Sequence, residues 1–413
     1  MLDHQSSALG KAESTLCAFP WTHLFVDPVG TMTTCCVGDP RPHVDQEGKA
    51  ISAGQKDAIL RHWLSPRMRA VRRDLASGRR HPVCDTCWRV EDLGSTSYRH
   101  RANKMPLDAY QPDEEAPKPK LQFIDLRLGN FCNLKCRMCI PYSSKLLISE
   151  YRELQVADDR FWEGLADLTW FDSDIFWDDL LQYAPDFKRV HLAGGEPLVI
   201  KKGWDFLRRL VELGYSKSIE LSYNTNWTVI PKWAKEIWRE FHSVDLFISM
   251  DGTGKINEFI RHPLNWDQFR ENLTLIEEHH EDFNVRYASI HATAQIYNVF
   301  RLPDLCEFVK GLRFFDPYPE IAVVVHPEVF DIRVLPSDLK NRAAQRIIQY
   351  MGAINNDVAA TELRAQLNSV VEHMTTGDNT HLIPALRRHN EVYDRHRGQR
   401  AVDVLPELGS VLG

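Results

Sequence analysis

Three cysteines stand within eight residues in Cys132-Asn-Leu-Lys-Cys136-Arg-Met-Cys139, directly after the strand-like run 123–128. Thiolates hold iron–sulfur clusters, and a fully ligated 4Fe–4S cluster takes four of them. The single cysteine farther downstream, Cys306, shares an apolar helical face with Leu302, Leu305 and Val309, the pattern of a buried core thiol. One iron is therefore expected to stay open for a substrate or cofactor. A zinc site is the competing reading, but zinc favours tetrahedral closure by paired knuckles, which a C-x3-C-x2-C triplet behind a strand fits poorly.

Two later stretches carry residue types suited to holding a ligand at strand ends. In His191-Leu-Ala-Gly194-Gly195-Glu196-Pro197, paired glycines let backbone approach closely and proline fixes the exit. A bare Gly-Gly would be a plain strand-to-helix turn. The second stretch, Phe247-Ile-Ser249-Met-Asp251-Gly, is followed by Arg261 twelve residues after the serine. A guanidinium fork suits a carboxylate, although a lone arginine is more often a solvated surface group. Between them, Ser222-Tyr-Asn224-Thr-Asn226-Trp227 ends another strand-like run.

In this order the segments resemble the radical S-adenosylmethionine (radical SAM) superfamily. The resemblance implies that Cys132, Cys136 and Cys139 bind a catalytic 4Fe–4S cluster whose open iron is chelated by S-adenosylmethionine. It implies reductive cleavage of that cofactor to a 5′-deoxyadenosyl radical, which takes a hydrogen atom from a substrate carbon while the protein positions the reactants. By the same resemblance Gly194, Gly195, Glu196 and Pro197 meet the methionine amino group, Ser249 and Arg261 the ribose or carboxylate, and Asn224 lies beside the ribose. Trp227 stands where the family usually has glycine, and Met138 where an aromatic residue often precedes the last cysteine.

Five further cysteines fall in the first ninety residues: Cys17, Cys35, Cys36, Cys84 and Cys87. The spacings Gly30-x4-Cys35 and Cys84-x2-Cys87 resemble the twitch domain, the shorter relative of the SPASM domain. That resemblance implies a second 4Fe–4S cluster on Cys17, Cys35, Cys84 and Cys87, with Cys36 able to exchange roles with Cys35. The module would precede the barrel, the reverse of the better-known enzymes. A four-cysteine zinc ribbon would use similar residues.

The chain has 413 residues, 43% hydrophobic and 26% charged, with a formal net charge of -7, as in a soluble globular protein of two or three domains. The acidic balance speaks against a nucleic-acid partner. The first residues lack a signal peptide's basic and apolar regions, and no apolar run approaches membrane-span length, so a cytoplasmic address with reduced thiols is expected. Strands are predicted at 123–128, 189–193, 218–223, 244–250, 285–294 and 321–326, with helices at 204–213 and 266–279. This alternation predicts an α/β fold, which the resemblance makes a partial (β/α)6 TIM-like barrel over 121–335. The twitch-like domain spans 1–106 with an amphipathic helix at 57–76, a Pro-rich linker covers 107–120, and 336–413 reads as a helical extension.

Other features have bland and sharp readings. The aromatic pairs Phe161-Trp162, Trp170-Phe171 and Phe176-Trp177 are expected on inward helix faces, with sugar or peptide stacking as the alternative. His291 and His326 fall on predicted strands as satisfied groups or as acid–base candidates. Arg72, Arg73, Arg79 and Arg80 read as a charged helix face, or as a contact for a substrate phosphate or a flavodoxin- or ferredoxin-type electron donor. The expected reaction is oxidation or epimerisation of a small polar or sugar-like metabolite. A maturase of a ribosomal peptide is the alternative, and a non-catalytic iron–sulfur or zinc scaffold is the reading from another class.

Overall fold

Strands that alternate apolar and polar side chains build one eight-stranded sheet in the computed structural model, which describes residues 15–412 except 93, 95, 114, 115, 167 and 356. Residues 1–14, read above for a signal peptide, and 114 and 115 of the linker stretch lie outside the described residues. The strands are β1 (His23–Val26), β2 (Met32–Thr33), β3 (Phe123–Arg127), β4 (Arg189–Ala193), β5 (Glu220–Thr225), β6 (Ser243–Ser249), β7 (Val285–Ala294) and β8 (Glu320–Val323). Their spatial order is β2-β1-β3-β4-β5-β6-β7-β8; β2 is antiparallel to β1 and every other pair is parallel. From β3 to β8 the sheet is the six-stranded partial barrel, with helices such as Lys201–Glu212 and Trp266–His279 between its strands. Among the described residues no helix is long and apolar enough to cross a membrane.

Register sorts the side chains into two faces. Asp125 lies beside His191, His191 beside Ser222 and Ser222 beside Asp245. The two-residue period puts Arg127, Asn224, Phe247 and Ser249 on that same face. The rings of His191 on β4 and Phe247 on β6 stand 6.0 Å apart although β5 lies between them, so this polar face is concave. The opposite face carries Ile124, Leu126, Leu192, Leu221, Tyr223 and Leu246, all buried in the main core. A TIM-type interior is ordinarily filled by branched aliphatic side chains. Here hydrophilic groups line it, as a chamber for a polar ligand requires.

The N-terminal segment enters the same sheet. β1 and β2 have no counterpart among the predicted strands, yet β1 pairs along its whole length with β3, His23 beside Phe123 and Val26 beside Leu126. The helix expected over 57–76 is two, Ala58–Trp63 and Pro66–Ala76. Ser65 caps the second by accepting from the Met68 amide, and Pro66 has no amide with which to extend the first. Arg72 corrects the expectation of a solvated or partner-facing group. It is fully buried, with Nε donating to Pro20 O at 2.8 Å and Nη1 to Trp63 O at 2.9 Å. Arg73, Arg79 and Arg80 do stand at the surface, beside Asp74 and Asp92. The 107–120 stretch is tacked down by two indoles, Trp21 donating to Asp113 O and Trp63 to Ala116 O, both at 2.7 Å. Past β8 come the helices Ser337–Ala353, Val358–Thr375 and Ile383–Arg397.

Candidate active site

The cysteine triplet occupies the loop that leaves β3, and neighbouring strand ends hold that loop from two sides. Leu128 N donates to Ala193 O at 2.9 Å, and Glu196 N donates to Phe131 O at 2.9 Å, which ties the loop to the end of β4. Lys135 N donates to His262 O at 2.6 Å and Arg137 N to Ile260 O at 2.7 Å, which ties it to the helix Lys255–Ile260. Gly194 and Gly195 make this approach possible. Their φ values are +78° and +51°, and a Cβ on Gly195 would stand 2.2 Å from Phe131 O.

Cys136 is buried, while Cys132 and Cys139 are half-buried. A hydrogen bond from Cys139 to Cys136 pulls the Cys136 thiol below its ordinary range and pushes Cys139 well above. Burial pushes Cys132 up to about 12. Three nitrogen donors converge on the sulfurs: Arg261 Nη1 at 3.9 Å from Cys136 Sγ, Asn226 Nδ2 at 3.7 Å and Leu134 N at 3.4 Å from Cys132 Sγ. Donors of this kind tune an iron–sulfur centre through its sulfur ligands. Cys306 is buried in the helix Leu302–Lys310, part of the apolar core.

The residues expected to contact the cofactor have defined partners within the protein. Arg261 does not stand free for a carboxylate: its Nη2 pairs with the fully buried Asp251 at 2.8 Å. Its Nε remains a buried donor without a partner, so the guanidinium keeps one valence for a ligand. Glu196 is buried and accepts from Leu198 N at 3.1 Å, Thr225 Oγ1 at 2.7 Å and Asn226 N at 2.6 Å; burial pushes its carboxyl up to about 7. Pro197 starts the short turn Pro197–Val199. Asn224 is the last residue but one of β5, opposite Phe247, whereas Asn226, two residues on, reaches the triplet. Ser249 ends β6 opposite His291, half-buried on the polar face. Trp227 keeps the left-handed φ of +55° that glycine would favour, held by its indole donating to Asn272 O at 2.9 Å. Three thiols, converging N–H groups and an orphaned guanidinium nitrogen together fit a cluster with one iron left for an amino-acid chelator.

The N-terminal thiols form a second group. Cys17, Cys35, Cys84 and Cys87 line one small cavity with Phe19 and Arg99. Burial pushes Cys17 and Cys84 up to about 12 and Cys35 well above the ordinary thiol range. Cys36 is not among the lining residues; it faces Asp125, Arg127 and Tyr98, and burial pushes it up to about 11. Among the described residues no three His, Cys, Asp or Glu side chains are gathered around a single-ion site. Cys35→Ala is therefore expected to lose the iron of this module, and Cys36→Ala to keep it, as read by iron per chain after reconstitution.

The remaining candidates scatter. Trp162, Phe171, Phe176 and Trp177 are buried in the core, and Phe161 is exposed. His291 lies on β7 with its Nε2 3.6 Å from Glu320, while His326 lies past the end of β8, exposed.

Residues 126–286 match the family model described as the Radical SAM superfamily, and residues 17–88 match SPASM, described as an iron-sulfur cluster-binding domain. No curated protein matches the chain. Among solved structures it is similar to Streptococcus suis SuiB bound to precursor peptide SuiA, at 16% identity over 72% of this chain and 63% of that one, with a TM-score of 0.36. It is similar to native anSMEcpe with bound AdoMet and Cp18Cys peptide, at 16% identity over 56% and 59%, with a TM-score of 0.34. A third is TYW1 with a lysine-pyruvate adduct bound, at 13% identity over 60% and 76%, with a TM-score of 0.29. The chain spans less than two thirds of the length of the first two.

Proposed function

Since the chain belongs to the radical SAM superfamily and carries a SPASM domain on its N-terminal side, we propose that it uses the Cys132/Cys136/Cys139 loop to abstract hydrogen from a substrate bound in the polar chamber. When bound, a reduced 4Fe–4S cluster with S-adenosylmethionine supplies a 5′-deoxyadenosyl radical. The three thiolates would hold that cluster, and Arg261, Asn226 and the Leu134 amide would fix its sulfur ligands. The orphaned Arg261 Nε is the protein's donor toward the cofactor's carboxylate. Cys17, Cys35, Cys84 and Cys87 would hold the auxiliary cluster, which suits an oxidation because a substrate radical must then lose an electron. The observation that carries this reading is the convergence of three N–H donors on a three-thiol loop.

For the substrate we put a peptide ahead of a small polar or sugar-like metabolite. A sugar ring calls for an aromatic platform; of the tryptophans that offered one, Trp162 and Trp177 are buried in the core, and the half-buried Trp170 commits its indole N–H to Pro28 O at 2.9 Å. Asn224, Ser249 and Thr293, half-buried on the polar face, instead offer hydroxyl and amide groups that match peptide bonds. A cytoplasmic address and a flavodoxin- or ferredoxin-type donor complete the reading, since the clusters must stay reduced. The test is anaerobic reconstitution, reduction with dithionite and assay for 5′-deoxyadenosine. Formation above background is expected, with deuterium carried into the nucleoside from deuterated peptides; no nucleoside from an iron-loaded protein would leave a binding scaffold.

A further inference from the structure

Of the residues between the cysteines, Leu134 and Arg137 are buried. Arg137, between Cys136 and Cys139, has a side chain with no exposed surface, and its nitrogens are satisfied mainly by a segment about 260 positions downstream. Nη1 donates to Asn390 Oδ1 at 2.9 Å, Nη2 donates to Gln399 Oε1 at 3.0 Å and to the Asp394 carboxylate, and the guanidinium lies 3.6 Å from the Phe259 ring centroid. Lys135, before Cys136, donates to Glu150 Oε1 at 3.1 Å. The same buried carboxylate takes both Nε and Nη2 of Arg397, at 3.0 and 2.7 Å. Tyr151 closes the set by donating its hydroxyl to Cys139 O at 3.2 Å. Asn390, Asp394 and Arg397 all belong to the helix Ile383–Arg397, which the barrel itself does not need for closure.

The geometry points to the Ile383–Arg397 helix as a working part of the cluster site: through Arg137 and Glu150 it positions the triplet loop and sets the reduction potential of the cluster held there. The inference rests on the proposed function. Its electrostatic content follows from a count. Lys135, Arg137 and Arg397 are three cations set against the carboxylates of Glu150 and Asp394, which leaves the network that grips the loop with one positive charge in excess. In a poorly solvated setting a positive charge favours the more negative, reduced form of a cluster and so raises its potential. These are positioning residues, since each acts through the loop.

The test is a redox titration of the reconstituted full-length protein, followed by electron paramagnetic resonance with and without S-adenosylmethionine. Arg137→Gln is expected to lower the midpoint potential, and Asp394→Asn, which keeps the shape and an acceptor for Arg137, is expected to raise it. Glu391→Gln makes the same charge change at an exposed position of that helix and is expected to leave the potential unshifted. Loss of the clamp in Arg137→Gln should also make the cluster about tenfold easier to strip with chelator, the scale on which outer partners of a metal site act. A merely structural role cannot move two variants in opposite directions. If Arg137→Gln does not fold, Asp394→Asn against Glu391→Gln carries the comparison. Equal potentials throughout, or shifts of the same sign, overturn the inference; a wild-type protein that assembles no cluster on the triplet overturns the reading beneath it.

Discussion

Cys136→Ser abolishes 5′-deoxyadenosine formation and lowers iron from roughly eight to about four per chain, because the two groups of thiols load independently. Cys136 is the best-anchored thiol of the loop: it is buried, it accepts from Cys139, and Arg261 Nη1 stands 3.9 Å from its sulfur. A serine there takes away a soft ligand and leaves the Arg261 guanidinium beside a group that holds iron poorly. The N-terminal cavity shares no residue with this loop, so its iron and its spectrum should persist. Iron per chain and nucleoside yield, measured on the same sample, decide the matter. Residual iron near eight with no nucleoside would mean that Cys136 is not a ligand, and the candidate site would have to be rebuilt around other groups.

Gly195→Ala unseats the loop without touching any thiol. Left-handed backbone costs an ordinary L-residue about 1–2 kcal/mol, and here a Cβ would also lie 2.2 Å from Phe131 O and 2.7 Å from Phe131 C. Both are backbone atoms that no rotamer change can move. Gly214 supplies the control: its φ is +78°, but nothing lies within 4 Å of an added Cβ. Gly214→Ala should cost only the conformational term and keep its iron. Gly195→Ala should lose more stability in a denaturant titration and release triplet iron. Equal losses in the two variants would show that the loop tolerates displacement.

Most of the barrel was legible because its signals are local. The 189–193 and 285–294 runs become β4 and β7 residue for residue, and Trp266–His279 is the predicted helix. β1 was not legible: it is a four-residue strand, His23-Leu-Phe-Val, completed only by a partner about a hundred positions later. Arg72 read as surface charge because its acceptors, Pro20 O and Trp63 O, are backbone carbonyls that no side-chain pattern announces. In the site, the cysteine spacing announced itself, while the partner of Arg261 did not. Asp251 carried no role of its own in the Ser249-Met-Asp251-Gly stretch, and only folding shows it fully buried against the guanidinium. Asn226 is the reverse case, since it stood in the quoted stretch beside Trp227 and only the left-handed turn there decides which asparagine reaches the loop.

β1 hydrogen-bonds along one side of β3, the strand that leads into the triplet. The auxiliary module is therefore no detachable cassette. Trimming it to obtain a minimal catalytic core would lay bare an unpaired strand border directly ahead of the reactive loop, an invitation to intermolecular stacking. Engineers wishing to graft a foreign recognition module onto this scaffold would have to conserve those four residues, or furnish a substitute ribbon in their place.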